Sequence, residues 1–182
     1  MKVLFFWTKA ETLSLIDCLN PYGPLLAQSM EKLDIHFESA GYEFERSWLE
    51  EKRRDFEVLH VNWLQHFYRA DDLDSSLKRL NHFVDNMHYA GSLGYRIVWT
   101  LHNLYPHERP YPDLDQFARL AMCGVSDAVV AHCHYAADRA RELFHLDDRL
   151  CVIPHGNYID AYPNTIMKED ARTRLGLPAE GF

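Results

Sequence analysis

The stretch RIVWTLHNLYPHE (residues 96–108) predicts the fold of this chain. Its first half is a continuous apolar run from Ile97 to Leu101, which stops abruptly at His102 and Asn103. A short strand that is apolar throughout is typical of a sheet covered on both faces, and parallel sheets are covered in that way. The stretch therefore predicts a buried parallel strand with polar residues at its downstream end.

Similar short apolar runs alternate along the chain with amphipathic helical segments. The predicted strands are residues 2–7, 57–63, 96–101, 127–132 and 150–154, with a weaker one at 42–48. The predicted helices are residues 22–33, 72–93, 111–122, 135–144 and 168–175. Strand and helix in repeated alternation imply right-handed crossovers. We expect an α/β, three-layer Rossmann-like domain with a parallel sheet of about six or seven strands, and a single domain over residues 1–182.

Composition excludes several classes of protein. The chain has 182 residues, of which 47% are apolar, so it can bury a sizeable core. The net charge of −8 disfavours nucleic acid as a partner and allows at most a peripheral association with membranes. No segment approaches the about 18 apolar residues that a membrane span needs. The four cysteines have no C-x-x-C spacing, which favours a reducing, cytoplasmic location.

Ligands of open parallel sheets bind outside the carboxyl ends of the strands. The residues that follow the predicted strands are rich in histidine, asparagine and aromatic side chains, and the candidates for a binding role are His66, His102, Asn103, His107 and His155. A lone histidine is more often hydrogen-bonded scaffold than chemistry, so both interpretations stay open for each position.

Phosphate-binding and metal-binding motifs are weak. The sequence has no G-x-x-x-x-G-K-[ST] and no G-x-G-x-x-G after its first strand. Asn20 can cap the helix that starts near Tyr22, and the first N–H groups of that helix could face an anion, although a capped helix alone explains the pattern equally well. In AHCHY (residues 131–135), an extended strand would place His132 and His134 on one face and Cys133 on the other. We therefore expect no metal site there.

Six segments together resemble a known enzyme family. They are NPYGPLL (20–26), FEVLHVNWLQHF (56–67), TLHNLYPHE (100–108), SDAVVAHCHYAADRARELF (126–144), LCVIPHGNYIDAYP (150–163) and DARTRLGLP (170–178). The series resembles the amino-terminal half of a two-domain GT-B glycosyltransferase of family four (group 1). The resemblance covers nearly the whole chain and implies one half of a GT-B fold.

The resemblance also implies roles for single residues. His102 lies where such enzymes place a histidine facing the transferred sugar or the reacting centre, which makes it the catalytic candidate. The other positions that correspond to the cleft are Asn20, Tyr22, Trp63, His66, Asn103, His107, His155, Gly156 and Asn157. Trp63 and His66 are expected on the acceptor side. Asn62 stands where a histidine is commoner, which argues against a histidine function at that position.

The family's donor-binding half, with its glycine-rich turn and paired glutamates, is not found in this sequence. The implied function is transfer of a hexosyl group from a nucleotide sugar to a saccharide or lipid-linked saccharide acceptor, in polysaccharide or glycoconjugate synthesis. The resemblance implies no cofactor and no metal, with the nucleotide sugar as substrate. We expect a carboxyl-terminal partner domain, little activity without it, and dimers through the exposed interdomain face around residues 105–112 and 153–163.

Two other function classes remain at this point. A non-catalytic carbohydrate-binding or partner-binding module would use the same fold without a catalytic parent. A metal-dependent hydrolase would assemble His102, His107, His134 and His155 around zinc or iron.

Overall fold

The computed structural model describes residues 1–7, 13, 20–159, 161–163 and 165–181. Six strands of that part form one sheet: β1 (Lys2–Phe6), β2 (His36–Ser39), β3 (Val58–Val61), β4 (Arg96–Leu101), β5 (Ala128–Ala131) and β6 (Leu150–Val152). Their order is β2-β1-β3-β4-β5-β6, and every neighbouring pair is parallel. The predicted α/β class with a parallel sheet of six or seven strands is confirmed.

All but the last of the helices in the described residues lie between these strands in the sequence. The helices are α1 (Tyr22–Glu31), α2 (Arg46–Lys52), α3 (Gln65–Tyr68), α4 (Leu73–Ser92), α5 (Pro112–Val125), α6 (His134–Phe144) and α7 (Lys168–Arg174). None of them is both long and apolar enough to cross a lipid bilayer.

Successive side chains of a strand point to opposite faces of the sheet, so that apolar strands present two apolar faces. Helices cover both of these faces. Phe6 packs on Phe67 of α3, and Phe67 in turn packs on Phe83 of α4. On the opposite face Phe5 stacks near Trp7, and α1 passes so close to Trp7 that only a glycine, Gly23, fits between them. The chain therefore folds as three layers, and α1 lies on the Phe5 side.

The direction of the chain across the sheet reverses between β1 and β3. The chain passes from β1 outward to β2, and the later strands β3 to β6 are added on the other side of β1. Such a reversal opens a crevice at the carboxyl ends of the two strands concerned, and ligands of doubly wound folds bind in that crevice. Trp7 follows β1 and Asn62 follows β3, so both residues lie at the crevice.

The prediction of a weak strand at residues 42–48 is wrong. That segment is irregular up to Glu45 and then begins α2, while the strand of this region is β2, His36–Ser39. Phe44 precedes α2 and Trp48 lies in its first turn, and both rings contact Phe6. β2 carries one apolar residue, Phe37, and an edge strand of that length gives almost no period-two signal.

The free thiols are unevenly placed. Cys123 is buried, whereas Cys133 and Cys151 are exposed, and none of the three forms a disulfide in the described part of the chain. Cys18 lies outside the described residues.

Candidate functional site

The strand register places two histidines side by side at the carboxyl edge. Leu101 of β4 pairs with Ala131 of β5, so the next residues, His102 and His132, occupy neighbouring positions. Ala131 also pairs with Val152 of β6, which brings Ile153 beside His132. The ring centroids of His102 and His132 lie 5.2 Å apart.

Aromatic rings enclose His102 on its other sides. Its imidazole stacks on the indole of Trp63, with centroids 4.3 Å apart and 22° between the planes. Tyr22, the first residue of α1, meets it edge to face at 4.8 Å, and Trp7 lies 5.7 Å away. His102 is therefore held in one orientation in a half-buried position.

Asn62 fixes the tautomer of His102. The amide Nδ2 of Asn62 donates to the carbonyl oxygen of Phe6 at 3.2 Å, so its Oδ1 is the atom that faces His102 Nε2 at 3.0 Å. An amide oxygen can only accept, so Nε2 of His102 carries the proton and donates. Nδ1 of His102 is then the nitrogen with the lone pair.

Burial keeps His102 neutral. Loss of solvent and, to a smaller extent, repulsion from His132, His155 and His60 together lower the pKa of His102 to about 3. At neutral pH the ring therefore offers one N–H and one lone pair, and it carries no charge. A lone pair suits a hydroxyl donor and does not suit a developing negative charge.

The imidazoles continue as a row from His102 through His132 to His155, whose ring lies 5.0 Å from that of His132. His155 Nδ1 donates to the carbonyl oxygen of Gly156 at 2.7 Å, so its Nε2 carries the lone pair. The hydroxyl of Tyr158 lies 3.3 Å from that Nε2 and 3.2 Å from Asn20 Oδ1. Through Tyr158 the segment after β6 contacts the start of α1.

Asn20 lies two residues before α1, whose N-cap position is Pro21. Its Oδ1 accepts from the backbone N–H of Tyr22 at 3.0 Å. The loop between β1 and Asn20, which the resemblance brings to the cleft, lies largely outside the described residues.

A cavity of about 180 Å³ adjoins His102. The residues that line it include Asn62, Trp63, His102, Asn103, His107 and Arg119. Asn103 and His107, both predicted for the cleft, therefore share this cavity with His102.

A buried polar network supports the loop that carries Asn103 and His107. Arg119 donates through Nε to the carbonyl oxygen of Leu104 and through Nη1 to the carbonyl oxygen of Asp115 at 3.0 Å. The hydroxyl of Tyr68 donates to Asp115 Oδ1. Because Tyr68, Asp115 and Arg119 are almost fully buried, these bonds fix the loop from inside the protein.

Three of the predicted residues stay apart from this cluster. His66 packs on the ring of Tyr42 at 4.8 Å, beside the cluster and not in it. Asn157 is exposed, and its Oδ1 accepts from the backbone N–H of Ile159. Gly156 is exposed with open space around it, and its carbonyl oxygen orients His155. Functional roles for all the predicted site residues remain predictions.

Sequence reasoning did not name His132, Tyr158, Trp7 or Asn62 as site residues. The position of His132 in the sequence could have identified it, because His132 directly follows β5 just as His102 directly follows β4. The expectation that His132 and His134 share a strand face is wrong, because β5 ends at Ala131. Cys133 is already the cap of α6, its Sγ accepting from Ala136 N at 3.5 Å.

No group of three or more His, Cys, Asp or Glu side chains is arranged to hold a metal ion within residues 1–7, 13, 20–159, 161–163 and 165–181. His134, the first residue of α6, is exposed. The four-histidine site of the hydrolase alternative is therefore not assembled in this part of the chain.

Comparison with known proteins gives one family. Residues 40–159, about two thirds of the chain, match the family model described as Glycosyltransferase Family 4. The matched range contains His102, His132 and His155, whereas Asn20 and Tyr22 precede it. No curated protein matches the chain.

Proposed function

This chain belongs to glycosyltransferase family 4, and we propose that it is the acceptor-side half of a hexosyltransferase. The reaction is transfer of a hexosyl group from a nucleotide sugar to a saccharide or lipid-linked saccharide acceptor, in polysaccharide or glycoconjugate synthesis. The match over residues 40–159 supports the transferase class, and the substrates are our proposal.

One observation carries the proposal most directly, namely the state of His102, which bonds to Asn62 beside the crevice between β1 and β3. Its Nε2–H is committed to Asn62, so Nδ1 is the nitrogen available to a substrate. A neutral imidazole lone pair accepts a hydrogen bond from a sugar hydroxyl. We assign His102 this contact with the transferred sugar or the acceptor hydroxyl.

The rings around His102 suit a saccharide. Trp63 and Tyr22 present half-buried aromatic surface beside it, on which the apolar C–H face of a pyranose can pack. Asn103 and His107 add polar groups in the adjoining cavity. Several convergent polar groups on an apolar lining are the usual composition of a small-ligand site.

Sugar transfer also needs stabilisation of the leaving diphosphate, which positioned donors in the cleft usually supply. We propose that a carboxyl-terminal domain supplies these groups and the nucleotide site, and that no metal takes part. Ile153, Ile159 and Tyr162 are 53%, 74% and 55% exposed and would meet that domain or a second copy of the chain. The free thiols favour a cytoplasmic location for the enzyme.

The test uses the protein as its gene encodes it. The purified protein is incubated with radiolabelled UDP-, GDP-, ADP- and dTDP-hexoses, each with and without a mixture of oligosaccharide and lipid-linked saccharide acceptors. Acceptor-dependent transfer from one donor supports the proposal. Saccharide binding without transfer or hydrolysis of any donor would favour the non-catalytic binding module instead.

A further inference from the structure

The side chain of His132 contains a hydrogen-bonding atom with no partner in the described part of the protein. Its Nε2 is buried and makes no hydrogen bond to any of the residues that the structure describes. Buried polar atoms of native proteins are nearly always paired, so an unpaired one calls for an explanation.

The missing partner of His132 has to be a donor. Nδ1 of His132 lies 2.9 Å from the carbonyl oxygen of Ile153, and a carbonyl oxygen can only accept. The proton of the neutral ring is therefore on Nδ1, and Nε2 holds a lone pair. Burial also lowers the pKa of His132, which keeps the ring in this neutral form.

The two neighbouring imidazoles have no proton to give to His132. His102 donates its Nε2–H to Asn62, and His155 donates its Nδ1–H to Gly156. The side chains of Tyr22 and Thr100 interact with each other through a hydrogen bond. The remaining hydroxyl, that of Tyr158, lies between Asn20 and His155. The ring N–H groups of His102 and His155, the two imidazoles beside His132, are thus both bonded elsewhere.

We propose that His132 is a substrate-positioning residue whose Nε2 accepts a hydrogen bond from a hydroxyl of the bound hexosyl group. The inference rests on the proposed function for the identity of the hydroxyl compound. His132 adjoins His102 in the register, so one sugar ring can place neighbouring hydroxyls on His102 Nδ1 and His132 Nε2.

The entry side is the one that His155 occupies. His155 is exposed, whereas His102 and Tyr22 are held between other rings. The contact of His155 Nε2 with Tyr158 is long at 3.3 Å, and Tyr158 has Asn20 as a second acceptor. A sugar that displaces the His155 ring therefore leaves the Tyr158 hydroxyl bonded to Asn20 while it uncovers His132.

Two substitutions test the roles of the two ring nitrogens of His132 separately. The amide of His132→Asn lies near the position of Nδ1 and can still donate to Ile153, but it provides nothing at Nε2. The amide of His132→Gln reaches the position of Nε2 and can accept there, but it loses the bond to Ile153. A positioning role predicts that His132→Asn loses ligand binding and keeps its stability. It predicts that His132→Gln keeps ligand binding and loses stability.

The experiment is a titration of the ¹⁵N-histidine-labelled chain with the methyl glycosides of glucose, galactose and mannose. We expect one glycoside to shift the ¹⁵N resonance of His132 Nε2 saturably, with Nδ1 unchanged. In His132→Asn the dissociation constant for that glycoside, followed by tryptophan fluorescence, should rise about tenfold, the equivalent of one hydrogen bond. His132→Gln should bind within about threefold of the original protein but melt at a lower temperature.

The proposal is overturned if none of the three glycosides shifts Nε2, or if His132→Asn binds as the original protein does. The NMR measurement needs no variant, so it decides the question even if a variant fails to fold. A glycoside that shifts Nε2 in a protein that transfers no sugar would remove the proposed function and leave this inference standing. Sugar transfer by His132→Asn with an unchanged KM would support the proposed function and overturn this inference.

Discussion

The imidazole of His102 and the indole of Trp63 are stacked, with centroids 4.3 Å apart and planes 22° from parallel. The contact joins the residue after β4 to a residue that follows β3. Trp63 covers one face of the imidazole and so contributes to the burial that is the largest cause of its low pKa.

Removing this cover should raise the pKa of His102. In Trp63→Ala, water reaches the imidazole, and the pKa should move from about 3 toward the ordinary value of 6.5. Trp63→Phe, which keeps an aromatic cover, should move it less. An NMR titration of the His102 ring protons measures both. An unchanged pKa in Trp63→Ala would show that burial by Trp63 is not the cause.

Stability should fall on mild acidification. Burial lowers the pKa of His60 from 6.5 to about 4 and that of His102 to about 3, so the unfolded chain binds more protons. The stability that these neutral rings provide is complete above pH 6.5 and is lost as the pH falls toward 4. The limiting slope is about 1.4 kcal/mol per pH unit for each histidine.

Urea unfolding between pH 7 and pH 4.5 measures that slope. His60→Phe keeps a ring beside Phe5 and Phe37 and removes one titrating group. The pH dependence of its unfolding free energy should therefore be smaller by about one proton. Equal slopes for the two proteins would contradict the assignment of His60.

Gly23 should not tolerate a methyl group. A Cβ at this position would lie 2.5 Å from Cδ1 and Nε1 of Trp7, although alanine is otherwise the better helix former. Gly23→Ala should lower the unfolding free energy by about 1–3 kcal/mol. Gly91→Ala and Gly124→Ala, in helices with open space around the added Cβ, should raise it by up to about 1 kcal/mol. Thermal unfolding of the three variants tests the difference in sign.

Tyr68 should contribute to stability through its hydroxyl. Tyr68→Phe removes the donor to buried Asp115 and one acceptor of Arg119, which should cost about 1–3 kcal/mol of unfolding free energy. Tyr89→Phe is the matched control, since the Tyr89 hydroxyl bonds with Glu50 at the surface. Urea unfolding of both should show a loss for Tyr68→Phe alone. Equal effects would mean that the network does not hold the Leu104 loop.

Sequence patterns predicted most of the fold because buried parallel strands are short apolar runs. β4 was predicted with its observed bounds, Arg96–Leu101. β2 and the short helix α3 were missed, since four residues are too few for a periodic signal. α2 was missed because the aromatic residues at 42, 44 and 48 also fit an alternating pattern.

The site was predicted in outline through the rule that ligands bind at carboxyl strand ends. His102, Tyr22, Trp63 and His155 are gathered at that edge, as expected. His132 was missed because its proximity depends on the register of β4 with β5, which no single segment states. The tautomers of His102 and His132 could not be predicted, since each depends on an amide or backbone partner distant in sequence.

The most direct test of the central claim, that His102 Nδ1 contacts substrate, is the transfer rate of His102→Gln in the protein as its gene encodes it. The glutamine amide can still donate to Asn62 Oδ1 from the position of Nε2, but it has no atom at the position of Nδ1. We predict that kcat falls by about 10²-fold, the scale for losing one positioned polar group in a transition state, while the melting temperature stays nearly unchanged. Normal turnover with a lowered melting temperature would contradict the account and make His102 a structural residue.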